Sequence, residues 1–88
     1  MMQHLLISIY DSKAEYWSAP RMFRTRAEAL RAFELAVNQE EGYGKHPEDH
    51  GVFVVGEFDE LNGTVIGCAP TVIEMGINLI NSLKREDS

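Results

Sequence analysis

His46 and His50 stand in an H-x3-H spacing with Glu48 and Asp49 between them, a set that can in principle present metal ligands on one side of a turn or helix start. No third soft ligand is near in sequence and Pro47 can open a helical turn, so a solvated acidic loop is the simpler account; no metal and no other cofactor is expected. Cys68 lies in an apolar, strand-like run, where a thiol is ordinarily a small buried hydrophobe, and nothing adjacent in sequence would activate it. Carboxylates are abundant, but abundance is not pairing. No nucleophile motif, phosphate loop or dinucleotide fingerprint occurs, so no catalytic residue is assigned and an enzyme is not expected. Asn62-Gly63-Thr64 matches a glycosylation sequon and reads as a turn.

Charge distribution says more than net charge. Residues 13–31 carry five bases against Glu15 and Glu28, a balance of +3, while the rest of the chain sums to -9. Tyr16, Trp17 and Phe23 are interleaved with those bases. A basic strip with exposed rings is what a single-stranded nucleic-acid groove needs, charge for phosphates and rings for stacking. The candidate nucleic-acid-binding residues are therefore Lys13, Tyr16, Trp17, Arg21, Arg24, Arg26 and Arg31. The competing reading places Trp17 and Phe23 in a small core and pairs the arginines with the acidic surplus.

The elements that must position these residues belong to a short chain. Eighty-eight residues build one compact domain, expected over 1–84 with a flexible acidic tail at 85–88. Hydrophobic content of 44% with 25% charged residues excludes disorder, and a lone cysteine excludes a disulfide staple and suits a reducing cytoplasm. The first residues lack a positive n-region, and 71–83 is too short and too polar to span a bilayer; a soluble protein with no membrane partner is expected.

Residues 3–10 alternate Leu5, Ile7 and Ile9 with His4, Ser8 and Tyr10, which predicts a strand. Pro20 excludes an uninterrupted helix through 14–23, so that stretch reads as irregular or edge strand. Thr25 and Glu28 have capping-box spacing before a helix over 26–38, with Ala27, Leu30, Phe33 and Val37 facing the sheet and Ala29 and Ala36 flanking. Burial of Leu30, Phe33 and Val37 at ~1.5–3 kcal/mol each outweighs the few tenths expected from surface ion pairs. A loop over 39–50 holds Gly42 and Gly44, either able to end the helix. Residues 51–59 read as a central strand, apolar on both faces at its start, and 64–68 as its hairpin partner. A four-residue loop, setting Phe58 opposite Val65, is preferred over a two-residue Asn-Gly turn. Thr71 and Glu74 repeat the capping-box spacing, predicting a second helix through Leu83, with Lys84-Arg85 at its C-terminus. The expected fold is α+β: an antiparallel sheet of three to four strands with one or two helices on one face, in the order β, irregular or edge β, α, β, β, α.

The run Asp11-Ser12-Lys13-Ala14-Glu15, Pro20, the helix Ala27-Glu28-Ala29-Leu30-Arg31-Ala32-Phe33 ending Ala36-Val37-Asn38, then Lys45-His46-Pro47-Glu48-Asp49-His50 and Gly56-Glu57-Phe58-Asp59 resembles one family. In order and spacing, over about 5–63, the chain is similar to the small nonstructural protein of gokushoviruses, single-stranded DNA phages of the Microviridae. The resemblance implies a protein of the infected bacterial cytoplasm, absent from the mature virion and assigned to viral DNA replication, at the switch to single-stranded genome synthesis. His50 stands where an aromatic, typically tyrosine, completes the family's His-Pro-Glu-Asp motif. Physically that motif reads as architecture, with Pro47 fixing a φ angle and Glu48 and Asp49 accepting backbone hydrogen bonds. Lys13 either bonds a phosphate or pairs with Asp49 or Asp59.

The leading expectation is a noncatalytic accessory of phage DNA replication that binds single-stranded or replicating phage DNA, or the replication proteins, through the 13–31 surface. The alternative is an acidic protein-interaction module, an inhibitor or DNA mimic, engaging a host or viral protein without DNA. A homo-oligomer is expected under either, because a small sheet leaves an edge to cover.

Overall fold

A computed structural model describes residues 3–38 and 46–79. Along the chain lie β1 (Gln3–Asp11), β2 (Tyr16–Trp17), β3 (Arg21–Phe23), α1 (Arg26–Val37), a 3-10 turn at Pro47–Asp49, β4 (His50–Asp59), β5 (Thr64–Met75) and a second 3-10 turn at Gly76–Asn78. Every strand pairing is antiparallel, in the order β2-β1-β4-β5, and β3 shares with β2 the outer edge of β1. The described residues form a mostly β member of the α+β class, their sheet holding five strands against the three or four expected. The stretch 14–23 forms two short edge strands on either side of Pro20.

Pairing of Ile7 with Val54 and of Ile9 with Val52 lines one sheet face with branched side chains. On that face α1 lays Ala29, Phe33 and Val37, one helical turn apart, and these with Ile7, Val52 and Val54 are the buried core. The buried stripe is thus rotated from the expected one: Ala27 is exposed and Leu30 only half-buried. Thr25 caps as expected, its Oγ1 accepting from Glu28 N at 3.1 Å, but Glu28 reaches back to Arg24 N (2.9 Å) instead of Thr25. The helix ends at Asn38, whose N–H returns to Glu34 O at 3.2 Å and whose amide Nδ2 donates to Leu79 O at 3.1 Å. Gly42 and Gly44, proposed to end the helix, lie outside the described residues.

The β4–β5 hairpin has the four-residue loop, with Phe58 opposite Val65 and Asp59 opposite Thr64. Gly63 takes φ +70°, a left-handed conformation that glycine adopts without strain, and donates to Asp59 O at 2.8 Å. β5 does not stop at Cys68.

The second helix expected from Thr71 is instead the end of β5 followed by one 3-10 turn. Thr71 pairs with Val54 and Val72 with Phe53, so a neighbouring strand supplies the backbone partners that a helix would have supplied internally. Glu74 does not close a box on Thr71: its Oε1 accepts from Met75 N (2.9 Å) and Asn78 Nδ2 (2.8 Å). Those bonds, the Asn78 amide first, hold its carboxyl below the usual glutamate value. Gly76 lets the chain cross the other turn, since a Cβ there would stand 2.5 Å from Pro47 O. The remainder of that expected helix, Lys84-Arg85 and the 85–88 tail lie outside the described residues. Among the described residues no helix is long and apolar enough to cross a membrane.

Candidate nucleic-acid interface

With α1 packed on the Ile7/Val52 side, the alternate strand positions form a face that no described helix covers, though Ser8 within it is buried and bonded to Ser18. On it lie Leu6, Tyr10, Phe53 and Val72, joined by Met22 opposite Leu6 and by Trp17 opposite Tyr10. Its centre is aromatic. The Trp17 ring lies 4.5 Å from Tyr10, tilted by 39°, and 5.1 Å from Phe53 at 73°, while Tyr10 meets Phe53 edge-on at 6.5 Å. Such geometry holds the rings firmly, and Trp17 keeps 39% exposure. None of the paired strand positions on this face is Asp, Glu, Lys or Arg, in a chain of net charge -6.

Ser18 fixes Trp17 in place. Its N–H donates to Ile9 O at 2.9 Å, its Oγ accepts from Ile9 N at 2.9 Å, and its carbonyl accepts from Ser8 Oγ at 2.7 Å. At the other end of β2, Asp11 Oδ1 accepts from Lys13 N (3.0 Å) and Ala14 N (3.1 Å), organising the tight turn that carries exposed Lys13. The Ala14 N–H, more than the nearby His50 ring, holds the Asp11 carboxyl below its ordinary value against partial burial.

The strip read from sequence is divided by the fold. Trp17 sits on the open face and Tyr16, 63% exposed, at the β1–β2 end opposite Asp11. Arg21 is opposite Ile7 and so faces the helix side, its guanidinium 5.6 Å from the Phe23 ring centre. It rims a cavity of about 180 Å³ against Ala32, Phe33 and Ala36. Arg24 precedes α1, and Arg26 and Arg31 lie on it; all three are exposed. Among the described residues neither Lys13 nor any of these arginines forms an ion pair, so the acidic surplus does not neutralise them there. Lys13 is not bridged to Asp49 or Asp59; the strand ends are tied by Ser12, whose N–H and Oγ both donate to Asp49 O at 2.8 and 3.1 Å.

Tyr10 and Phe53 are the site residues that sequence reasoning missed. Their signal was the Tyr10-to-Trp17 spacing across the Asp-Ser-Lys turn, which makes the two rings cross-strand neighbours. The His-Pro-Glu-Asp segment is the 3-10 turn into β4, with Pro47 buried at its first position. His50 Nδ1 lies 2.9 Å from His46 O and so donates to it, and its Nε2 lies 3.3 Å from Asp11 Oδ2. The H-x3-H pair is therefore not a shared chelate: His46 groups with Glu48 and Asp49, and His50 with Asp11. Cys68, expected to be buried, is exposed on the outermost strand.

Fold and site together define a small antiparallel-sheet protein in which, among the described residues, one α-helix covers one face and an aromatic cluster lies on the other. The family model described as Phage ORF5 protein matches residues 4–79, and the chain belongs to that family. It is a phage accessory protein. Neither the curated proteins nor the solved structures compared contain a match.

Proposed function

We propose that the protein is a noncatalytic accessory of single-stranded DNA phage replication, acting in the cytoplasm of the infected bacterium and absent from the mature virion. The sequence resemblance to the gokushovirus nonstructural protein supports its placement in the Microviridae and at the switch to single-stranded genome synthesis. In this reading single-stranded DNA lies across the open face, with bases stacked on the Trp17, Tyr10 and Phe53 cluster. Lys13 and Tyr16 meet the strand at the β1–β2 end, and Arg21, Arg24, Arg26 and Arg31 take phosphates where the strand passes the β3 edge. The observation that carries the reading is the ring cluster on a face whose paired positions hold no carboxylate, the Glu60 carboxylate reaching only its far end at His4.

Trp17 is the chain's only tryptophan, so its fluorescence reports on the site directly. Titration with oligothymidylate across a salt series is expected to quench it, with a salt slope that falls when Arg24, Arg26 and Arg31 are changed together to Ala. Absence of quenching at low salt would refute the reading.

A second reading is favoured by the division of the strip between two faces: an acidic protein-interaction module that engages a host or viral protein, the uncharged face being its contact. Recovery of one stoichiometric protein partner from infected cells, in a form resistant to nuclease and lost in Trp17→Ala, would favour it over DNA.

A further inference from the structure

We propose that the outer edge of β5 is the contact of a two-fold homodimer, formed by antiparallel pairing of residues 64–68 with the same residues of a second copy. β5 has twelve residues and, among the described residues, pairs only with β4, so there its other edge presents unpaired backbone donors and acceptors. Natural sheets guard such an edge with charge, yet ten consecutive residues, 64–73, carry no ionisable side chain apart from the Cys68 thiol. Val65 and Ile66 are 62% and 55% exposed.

The edge also specifies the register. Between the pairs Val54–Thr71 and Gly56–Gly67, β5 carries Cys68, Ala69 and Pro70 against the single Val55 of β4, and Pro70 has no N–H to give. The usable run is bounded by the Gly63 turn and by Pro70. Residues directly opposite in an antiparallel pair share a face, so a two-fold axis must pass through a residue. Through Ile66 it sets Ile66 against its own copy, Val65 against Gly67 and Thr64 against Cys68. Pro70 stays outside, and two half-exposed isoleucines meet rather than two glycines.

A second copy is the occupant because of charge. Two chains of net charge -6 repel unless they meet away from their carboxylates. The contact run 64–68 carries no carboxylate, and Asp59 at the acidic hairpin tip lies on β4 opposite Thr64, one strand in from the contact. The axis stands perpendicular to the sheet, so both aromatic faces come to the same side. That last consequence rests on the DNA reading above; the dimer itself does not.

The test is sedimentation equilibrium on wild type, Ile66→Lys, Ile66→Glu and an equimolar mixture of the two variants. Wild type is expected at twice the 9.9 kDa chain mass. Each variant sets like charges directly opposite and is expected to weaken dimerisation by about tenfold or more, whereas the mixture restores it, because Lys then faces Glu across the axis. Leu35→Lys, on the exposed side of α1, is the control expected to leave the dimer intact. Restoration in the mixture excludes misfolding as the cause of the loss. A monomeric wild type up to its solubility limit, or variants that dimerise as wild type does, would overturn the proposal. Loss of the dimer with retained quenching by a short oligonucleotide leaves the DNA site standing; the reverse leaves the dimer standing.

Discussion

Trp17→Ala separates a stacking platform from a structural ring. Trp17 touches Tyr10 at 4.5 Å and Phe53 at 5.1 Å, and each aromatic pair contributes about 0.5–1.5 kcal/mol, so the fold should lose about 1–3 kcal/mol. β2 holds only two residues, and the Ser18 backbone and side-chain bonds to Ile9 survive the change, so the sheet should stay assembled. Base stacking on an aromatic side chain is worth about 1–3 kcal/mol per base, or roughly 5- to 150-fold in affinity. The assay pairs urea unfolding followed by far-ultraviolet circular dichroism with anisotropy of a labelled oligonucleotide, since the variant has no tryptophan to report. Trp17→Phe should recover most of both losses. A lower urea midpoint with unchanged affinity would make the ring a packing element and refute the stacking site.

Three further outcomes follow from the fold. The folded-state pKa of Asp11 is depressed, so the stabilisation from its charge is present above the ordinary carboxylate pKa and lost as pH falls through the folded value. The stability gap between wild type and Asp11→Asn should therefore narrow on acidification from about pH 6 to about pH 3, and a constant gap in urea melts would count against this. Phe33→Ala empties the centre of the core and should cost about 3–5 kcal/mol, a large part of what holds a domain of this size; a loss under about 1.5 kcal/mol would show that α1 repacks. Gly76→Ala forces a Cβ to 2.5 Å from Pro47 O and 3.2 Å from His50 O, so a clearly lower melting temperature is expected, whereas Gly67→Ala, with open space at its Cβ, should melt closer to wild type.

What was legible in the sequence was local. Thr25 and the spacing of Phe33 and Val37 determine α1 within a few residues, and the apolar match of Phe58 with Val65 identifies the hairpin register. The segment after Pro70 was misread because Thr71, Glu74 and the apolar residues between and beyond them satisfy a helical repeat as well as a strand. Only the presence of β4 alongside Val72 decides between them, and that partner is nearly twenty residues earlier. The site was half legible for the same reason. Trp17 and the bases are conspicuous by type, but which of them share a face depends on β1 pairing with β2, β3 and β4 at once, and that pairing turns Arg21 away from Trp17.

The pairing of β1 with β4 also sets how the chain reaches its native state. His4 Nε2 meets Glu60 Oε2 across 56 positions of sequence, and all of β1 closes its ladder against a strand made much later in synthesis. Loop closure of that span is an entropic cost borne before any core contact forms, whereas α1 and the β4–β5 hairpin need only their neighbours. Those two local units are the natural nucleus, with β1 and the two edge strands paired to it, β2 and β3, docking last. A stopped-flow trace should then show refolding on the millisecond-to-second scale of non-local sheets rather than the microseconds of helical bundles. Substitutions in β1 should chiefly accelerate unfolding, and those in the hairpin chiefly slow folding.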